Sequence, residues 1–379
     1  MRRLPIMPRT RWPSVVEKQG LTYHTHESGP YWDESAYYEF QASEILELEG
    51  ATKRLHELCL EAAQAVIDRR WWDRLGIPES ARSMIERSWE RDDFSLYGRF
   101  DLAYDGTGPA KLLEYNADTP SSLLEASVIQ WFWLEQRFPG ADQWNSIHER
   151  LIEAWKRRGF QLPTHFACID DQGEDSQTTT YLRDTALQAG LVTWQLRMED
   201  IGWDKASGRF VDLEKRTIAN LFKLYPWEWM LHEEFGPQLC NLIETGQISV
   251  VEPAWKLLLS NKGLLPLLWE LFPGHPNLLP AYQSPDLLVG GYIKKPKLSR
   301  EGQNIEVVKQ GLVVAQEGGD YGEEGHVYQA LWETTAFGPF HPVLGAWIVD
   351  HEPSGLGIRE DTGLITTNRS RFIPHRIAG

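Results

Sequence analysis

Apolar residues at Ile45, Leu48, Leu55, Leu58, Ala62 and Val66 recur at intervals of three, four and seven. That rhythm predicts an amphipathic helix from Ser43 to about Arg70. The segments Ser95–Ala103 and Lys111–Tyr115 flank the turn Asp105-Gly106-Thr107-Gly108 and read as a hairpin. Asp118 and Thr119 can cap a helix with Pro120 at its first position, running to about Phe138. Another helix is predicted over Ser146–Arg158. From Thr164 the texture changes: short apolar strands at Thr164–Ile169, Val192–Leu196 and Thr217–Phe222 alternate with a helix near Thr178–Ala189. Such alternation marks a small α/β unit. After Glu252-Pro253 a long helical stretch runs to Phe272. The β-rich end then follows, with strands at Gly290–Lys295, Asn304–Val308, Leu312–Gln316, His326–Leu331, Val343–Val349 and Gly355–Ile358.

Composition narrows this picture. The 379 residues are 42% hydrophobic and 24% charged, which fits two or three compact units and excludes collagen, coiled coil and disorder. The 38 basic and 54 acidic residues give a net charge of -16. A phosphate-backbone binder carries a basic face, so no nucleic-acid partner is expected, whereas cations and metal ions are drawn to such a surface. Three widely spaced cysteines (Cys59, Cys168 and Cys240) form neither a disulfide framework nor a metal motif, and point to a reducing cytoplasm. No signal-peptide run follows the basic start, and Leu257–Leu271 falls short of a membrane span, so a soluble cytoplasmic protein is expected.

Three groupings can carry chemistry. Arg99 and Asp101 share one face of the first hairpin strand, and Glu114 and Asn116 share a face of the second. If the register sets Asp101 opposite Glu114, three hard oxygen donors and a cation converge, a set that suits Mg²⁺. The same pattern also describes a solvated hairpin face with a cross-strand ion pair. In the C-terminal third, Lys262 starts a helix after Ser260-Asn261, and Lys295 ends a strand. A polar loop from Leu298 to Asn304, with Arg300 and Gly302, lies beyond it. Together they can close over a polyphosphate or form an ordinary hairpin with surface lysines. Gly357-Ile358-Arg359-Glu360-Asp361 places an arginine that can brace a phosphoryl group, or an exposed ion-pair cluster. No P-loop, dinucleotide fingerprint, nucleophile elbow or zinc-protease helix is present.

At these residues the sequence resembles the glutathionylspermidine synthase family, and within it the single-domain acid–amine ligase branch. The likeness includes Pro30-Tyr31-Trp32, Arg99-Phe100-Asp101, the run Leu113 to Pro120, and Asn220 to Glu228. It continues through Glu252-Pro253-Ala254-Trp255, Ser260-Asn261-Lys262, Lys295-Pro296 and Ser370-Arg371-Phe372.

The resemblance implies an α+β (α/β) chain: a circularly permuted ATP-grasp fold with a preATP-grasp α/β domain. Residues 1–160 would hold the N-terminal part with the metal-binding hairpin. Residues 161–252 would form the preATP-grasp domain, and 253–379 the nucleotide-binding lobes. The activity implied is an ATP- and Mg²⁺-dependent carboxylate–amine ligase working through an acyl-phosphate; a non-catalytic ATP-binding relative is the alternative. A carboxylate-based glycoside hydrolase is a third reading of Asp101 and Glu114. Asp101, Glu114 and Asn116 would hold two Mg²⁺ ions. Arg99, Arg300 and Arg359 would be the catalytic cations. ATP would meet Arg99, Phe100, Asp101, Lys262, Lys295 and Gly302, the hinge Gln329-Ala330-Leu331-Trp332, and Leu364-Ile365-Thr366. Thr119, Ser121, Glu174 and Asp175 would contact a small-molecule carboxylate and amine, peptide-like or polyamine-like. Departures are visible too. Thr119 stands where the synthetase has serine, and Leu224 where it offers a hydroxyl, so an altered thiol-peptide pocket is expected. An amidase half is lacking, so no amide hydrolysis is expected.

Overall fold

The computed structural model describes residues 1–27, 29–169, 173–332 and 336–379. The long helix spans Ala42–Arg69 and buries the apolar stripe Ile45, Leu48, Leu55, Leu58, Ala62 and Val66. Gln41 and Glu44 form a reciprocal cap at its start, satisfying amide groups that have no partner within the helix.

The hairpin comprises Tyr97–Ala103 and Lys111–Asn116. Asp105 shapes its turn by accepting from the Thr107 amide at 2.8 Å. All seven residues of its first strand are buried, because that strand lies inside a larger sheet. The order there is Arg371–Phe372, Glu352–Asp361, His341–Val349, Tyr97–Ala103, Lys111–Asn116, all antiparallel. Early and late parts of the chain therefore build one sheet, with Gly345 paired to Asp101.

A second antiparallel sheet runs in the order Ala281–Tyr282, His326–Ala330, Gly291–Pro296, Glu306–Lys309, Leu312–Gln316. The third is parallel, in the order Ser249–Val251, Asn220–Leu224, Thr164–Cys168, Thr193–Arg197. The helix Glu174–Gln188 is its crossover between Thr164–Cys168 and Thr193–Arg197. Among the described residues no helix is long and apolar enough to cross a membrane.

Two helical expectations need correction. The helix after Pro120 begins only after Ser122, whose φ of 67° is left-handed, and its first turns over Glu125–Ile129 are π-type. Asp118 is no cap: it is buried, ion-paired with Lys223, and accepts from the Trp227 amide at 3.0 Å. The stretch after Pro253 is also not continuous. A 3-10 turn over Ala254–Leu258 gives way to a break, and the α-helix covers only Leu264–Leu271. Asn261 causes the break by turning its side chain to the Leu75 carbonyl (2.6 Å) and the Gly263 amide (2.7 Å). Lys262 therefore precedes the helix rather than starting it.

Candidate active site

The hairpin register pairs Asp101 with Glu114 and Arg99 with Asn116, with a bulge just after Asp101. Because side chains alternate along each strand, all four polar groups lie on one face. Arg99 Nε donates to Asp101 Oδ1 at 2.7 Å, and its other end binds the Ser121 carbonyl. Asn116 Nδ2 donates to Glu114 Oε1 at 3.2 Å.

The late lysines approach this face from the second sheet and its neighbouring turn. Lys262 Nζ lies 3.2 Å from Glu114 Oε2 and donates to the Ser299 carbonyl at 2.9 Å. Lys295 Nζ donates to the Leu113 carbonyl and to Gln329 Oε1, each at 2.8 Å. Burial alone would raise the Glu114 carboxyl, but Lys262 and Lys295 outweigh it and hold the group down at about 2. Burial pushes the Lys295 ammonium down to about 8, while Glu114 works the other way.

A cavity of about 650 Å³ opens over these groups. Its walls include Arg99, Asp101, Glu114, Asn116, Thr119, Ser121, Lys262 and Lys295. Glu174, Asp175, Arg300, Gly302, Arg359 and the segment Leu364–Thr366 complete it. Nearly every residue singled out in the sequence thus meets in one place. Phe100 does not: its side chain is fully buried and stacks on Tyr115 with ring centroids 3.9 Å apart. Gln329 sits behind Lys295, and neither it nor Ala330, Leu331 or Trp332 lines the cavity.

The loop after Lys295 is anchored by the Lys262 amide, which donates to the Lys297 carbonyl at 2.8 Å. Gly302 has φ +75°, and a Cβ there would stand 2.7 Å from the Thr366 carbonyl oxygen. Only glycine lets the loop pass that close. Arg300 reaches over the Trp229 ring, 5.7 Å from its centroid.

Several groups at the site carried no role in the sequence reading. Glu228 and Trp229 line the cavity, although Glu228 belonged to a matched run. Glu125, fully buried, accepts from Tyr23 at 2.9 Å and Tyr31 at 2.6 Å. Burial, then Glu125 and Asp175, push the Glu174 carboxyl up to about 8, against the pull of Arg359. Tyr31 stood in a matched motif, but only the fold shows that it meets Glu125.

Among the described residues no group of three or more His, Cys, Asp or Glu is set to hold a metal ion. The hairpin offers two carboxylates and an amide. That donor set fits a hard cation that keeps some waters and takes further oxygens from a phosphate, rather than a closed protein cage.

The class of protein follows from the fold. A solved structure of a glutathione synthetase-like effector from Globodera pallida, in its apo form, superposes with a TM-score of 0.60 at 9% identity. The match covers 97% of this chain and 96% of that one, which sets this chain in the same mixed α/β fold. The family is more specific: the model for the glutathionylspermidine synthase preATP-grasp family matches residues 3–378, and the chain belongs to that family. A Haemophilus influenzae protein, an acid–amine ligase by name, is 42% identical over 96% of both chains. Trypanothione synthetase from Crithidia fasciculata is 32% identical, over 90% of this chain but 56% of its own length. The bifunctional glutathionylspermidine synthetase/amidase of Escherichia coli is 28% identical, over 89% of this chain and 58% of its length. These relatives are named as ligases and synthetases, which places this chain among the enzymes.

Proposed function

We propose that this chain is an ATP- and Mg²⁺-dependent ligase that joins a small-molecule carboxylate to an amine through an acyl-phosphate. The observation that carries the reading is the meeting of the acidic hairpin face with Lys262 and Lys295 in one cavity.

A carboxylate is a poor electrophile because its leaving group would be oxide. Attack of a carboxylate oxygen on the γ-phosphorus of ATP breaks the bond to ADP and gives an acyl-phosphate. The amine nitrogen then attacks the carbonyl carbon, phosphate leaves, and the nitrogen gives up a proton. No protein nucleophile is needed, so the residues act by positioning and by neutralising charge. Lys262 and Lys295 would hold nucleotide phosphates. Arg99 and Arg359 would face the phosphoryl group in transfer, and the loop carrying Arg300 and Gly302 would keep water off the acyl-phosphate. Asp101, Glu114 and Asn116 would hold Mg²⁺, two ions in the full reading, which when bound withdraws charge from the phosphate oxygens. Thr119, Ser121, Glu174 and Asp175 are the substrate contacts in this reading. Phe100 would contribute through its backbone and Leu364–Thr366 would meet the adenine, while Gln329–Trp332, which does not line the cavity, would take part only through backbone groups.

In the same reading the ATP-grasp fold is circularly permuted. The hairpin within residues 1–160 completes the lobes formed by 253–379, and 161–252 is the preATP-grasp domain. The sharing of one sheet by Tyr97–Ala103 and His341–Val349 supports this division.

The test is ADP release from MgATP against a panel of small carboxylates, peptides and polyamines, followed by the mass of any condensed product. ADP and an amide are expected. ATP affinity unchanged in a Lys262→Ala, Lys295→Ala double variant would overturn the reading. ATP binding with no ADP under any pair would favour a non-catalytic relative.

A further inference from the structure

A second cavity, of about 430 Å³, lies on the parallel sheet beside the one just described. Met198, Ile201, Phe210, Leu221, Met230 and Leu239 are among its walls. Its position follows from the topology. Ile169, Met198 and Tyr225 line it, and each is the first residue after a parallel strand: Thr164–Cys168, Thr193–Arg197 and Asn220–Leu224. From Thr164–Cys168 the chain crosses to Thr193–Arg197 on one side, whereas Asn220–Leu224 lies on the other and leads on to Ser249–Val251. The direction of winding reverses between Thr164–Cys168 and Asn220–Leu224, so a crevice opens at their carboxyl ends, where open α/β sheets take ligands.

The cavity's interior is apolar, and among the described residues its charged lining residues are Glu199 and Glu233. Glu233 accepts from the Tyr225 hydroxyl at 2.6 Å. Ile169 lines both this cavity and the active one, so the two adjoin. On its far side Ile169 shares the active cavity with Glu174, Asp175 and Glu228. A molecule bridging the two would put an uncharged apolar body among the methionines and carry its polar end past acidic groups.

We propose that this cavity holds the alkyl or aryl part of the amine substrate, whose nitrogen reaches the active cavity past Ile169. The choice of amine over acid rests on the ligase reading above together with charge. Glu199 and Glu233 on the cavity wall favour an ammonium end and disfavour a carboxylate, and Glu174, held up at about 8 by burial, can release its proton when an ammonium arrives beside it. Met198 and Met230 suit an apolar guest, because unbranched thioethers adapt to its shape. The size falls within the range of small-molecule sites.

Calorimetric binding of n-butylamine, n-hexylamine and n-octylamine to the full chain, without nucleotide, tests the assignment directly. Each added methylene should tighten binding about fourfold, the equivalent of ~0.8 kcal/mol. In a Met198→Gln, Met230→Gln double variant the gain should fall to less than twofold. Ile169→Ala serves as the second variant, and should keep the length dependence. Dissociation constants independent of chain length would overturn the proposal, as would an equal gain for n-butanoate through n-octanoate. ADP release separates this from the ligase reading. Length-dependent amine binding with no ADP from any acid would sink the ligase reading and leave the apolar site standing. ADP released with short amines, at a KM indifferent to chain length, would do the reverse.

Discussion

Glu114 Oε2 stands 3.2 Å from Lys262 Nζ, so the hairpin of the first third is tied by charge to the turn that precedes a helix of the last third. In the proposed ligase reading each group would do something else once MgATP bound. The carboxylate suits the metal and the ammonium suits a phosphate, so the ion pair would open and each partner would gain a stronger neighbour. The pair keeps the two charges from being buried alone in the meantime.

Lys262→Ala and Lys295→Ala should each slow ADP formation by about 10²–10³-fold, the usual cost of losing one electrophilic donor. Steady-state rates at saturating ATP check this. Glu114→Gln should keep the fold, weaken Mg²⁺ binding, and so raise the metal concentration needed for half-maximal rate. A Mg²⁺ titration unchanged in that variant would count against the hairpin as the metal site.

Gly302→Ala probes the loop that passes the segment Leu364–Thr366. A Cβ at φ +75° costs about 1–2 kcal/mol in the left-handed region, and here it would also press on the Thr366 carbonyl oxygen. The loop should move outward, raising the KM for ATP several-fold while the melting temperature shifts little. Thermal unfolding and ATP titration, run side by side, separate the two effects.

Asp118 gives a prediction about stability. Its carboxylate is buried against Lys223, itself fully buried, and also holds the Trp227 amide. Asp118→Ala leaves an uncompensated ammonium and should cost about 3–5 kcal/mol in denaturant unfolding. Adding Lys223→Met should restore much of that loss, because the stranded charge goes with it.

The hairpin and its face were legible because alternation with period two fixes which side chains share a side, and the turn fixes the strands. Asp101 opposite Glu114 needed only that register. The parallel unit was legible for a similar reason, although Thr217–Phe222 is replaced by Asn220–Leu224. Asp118 was not legible, since a carboxylate before Thr119-Pro120 looks the same whether it caps a helix or meets a lysine more than a hundred residues away. Asn261 is a parallel case: its helix-breaking bonds go to Leu75 and Gly263, and only the first is distant in sequence. Glu125 with Tyr23 and Tyr31, and the apolar cavity around Met198 and Met230, are likewise products of long-range packing with no local pattern to announce them.

Acid should weaken the fold through its buried histidines. His375 Nδ1 lies 2.9 Å from Gln130 Oε1 in the interior, and burial drives its pKa from the ordinary 6.5 down to about 3. Burial lowers His56 as well, where the ring meets His351 at 2.9 Å. The folded pKa lies below the unfolded one, so between about pH 6.5 and 3 the unfolded chain binds protons that the native state refuses. Stability must therefore rise with pH across that window and fall on acidification, by up to about 1.4 kcal/mol per pH unit for each such histidine. Urea unfolding at pH 7.5, 6 and 5 should show the loss, and His375→Asn should shed about one proton's share of the slope. A slope unchanged in that variant would mean that His375 is not held neutral in the native state.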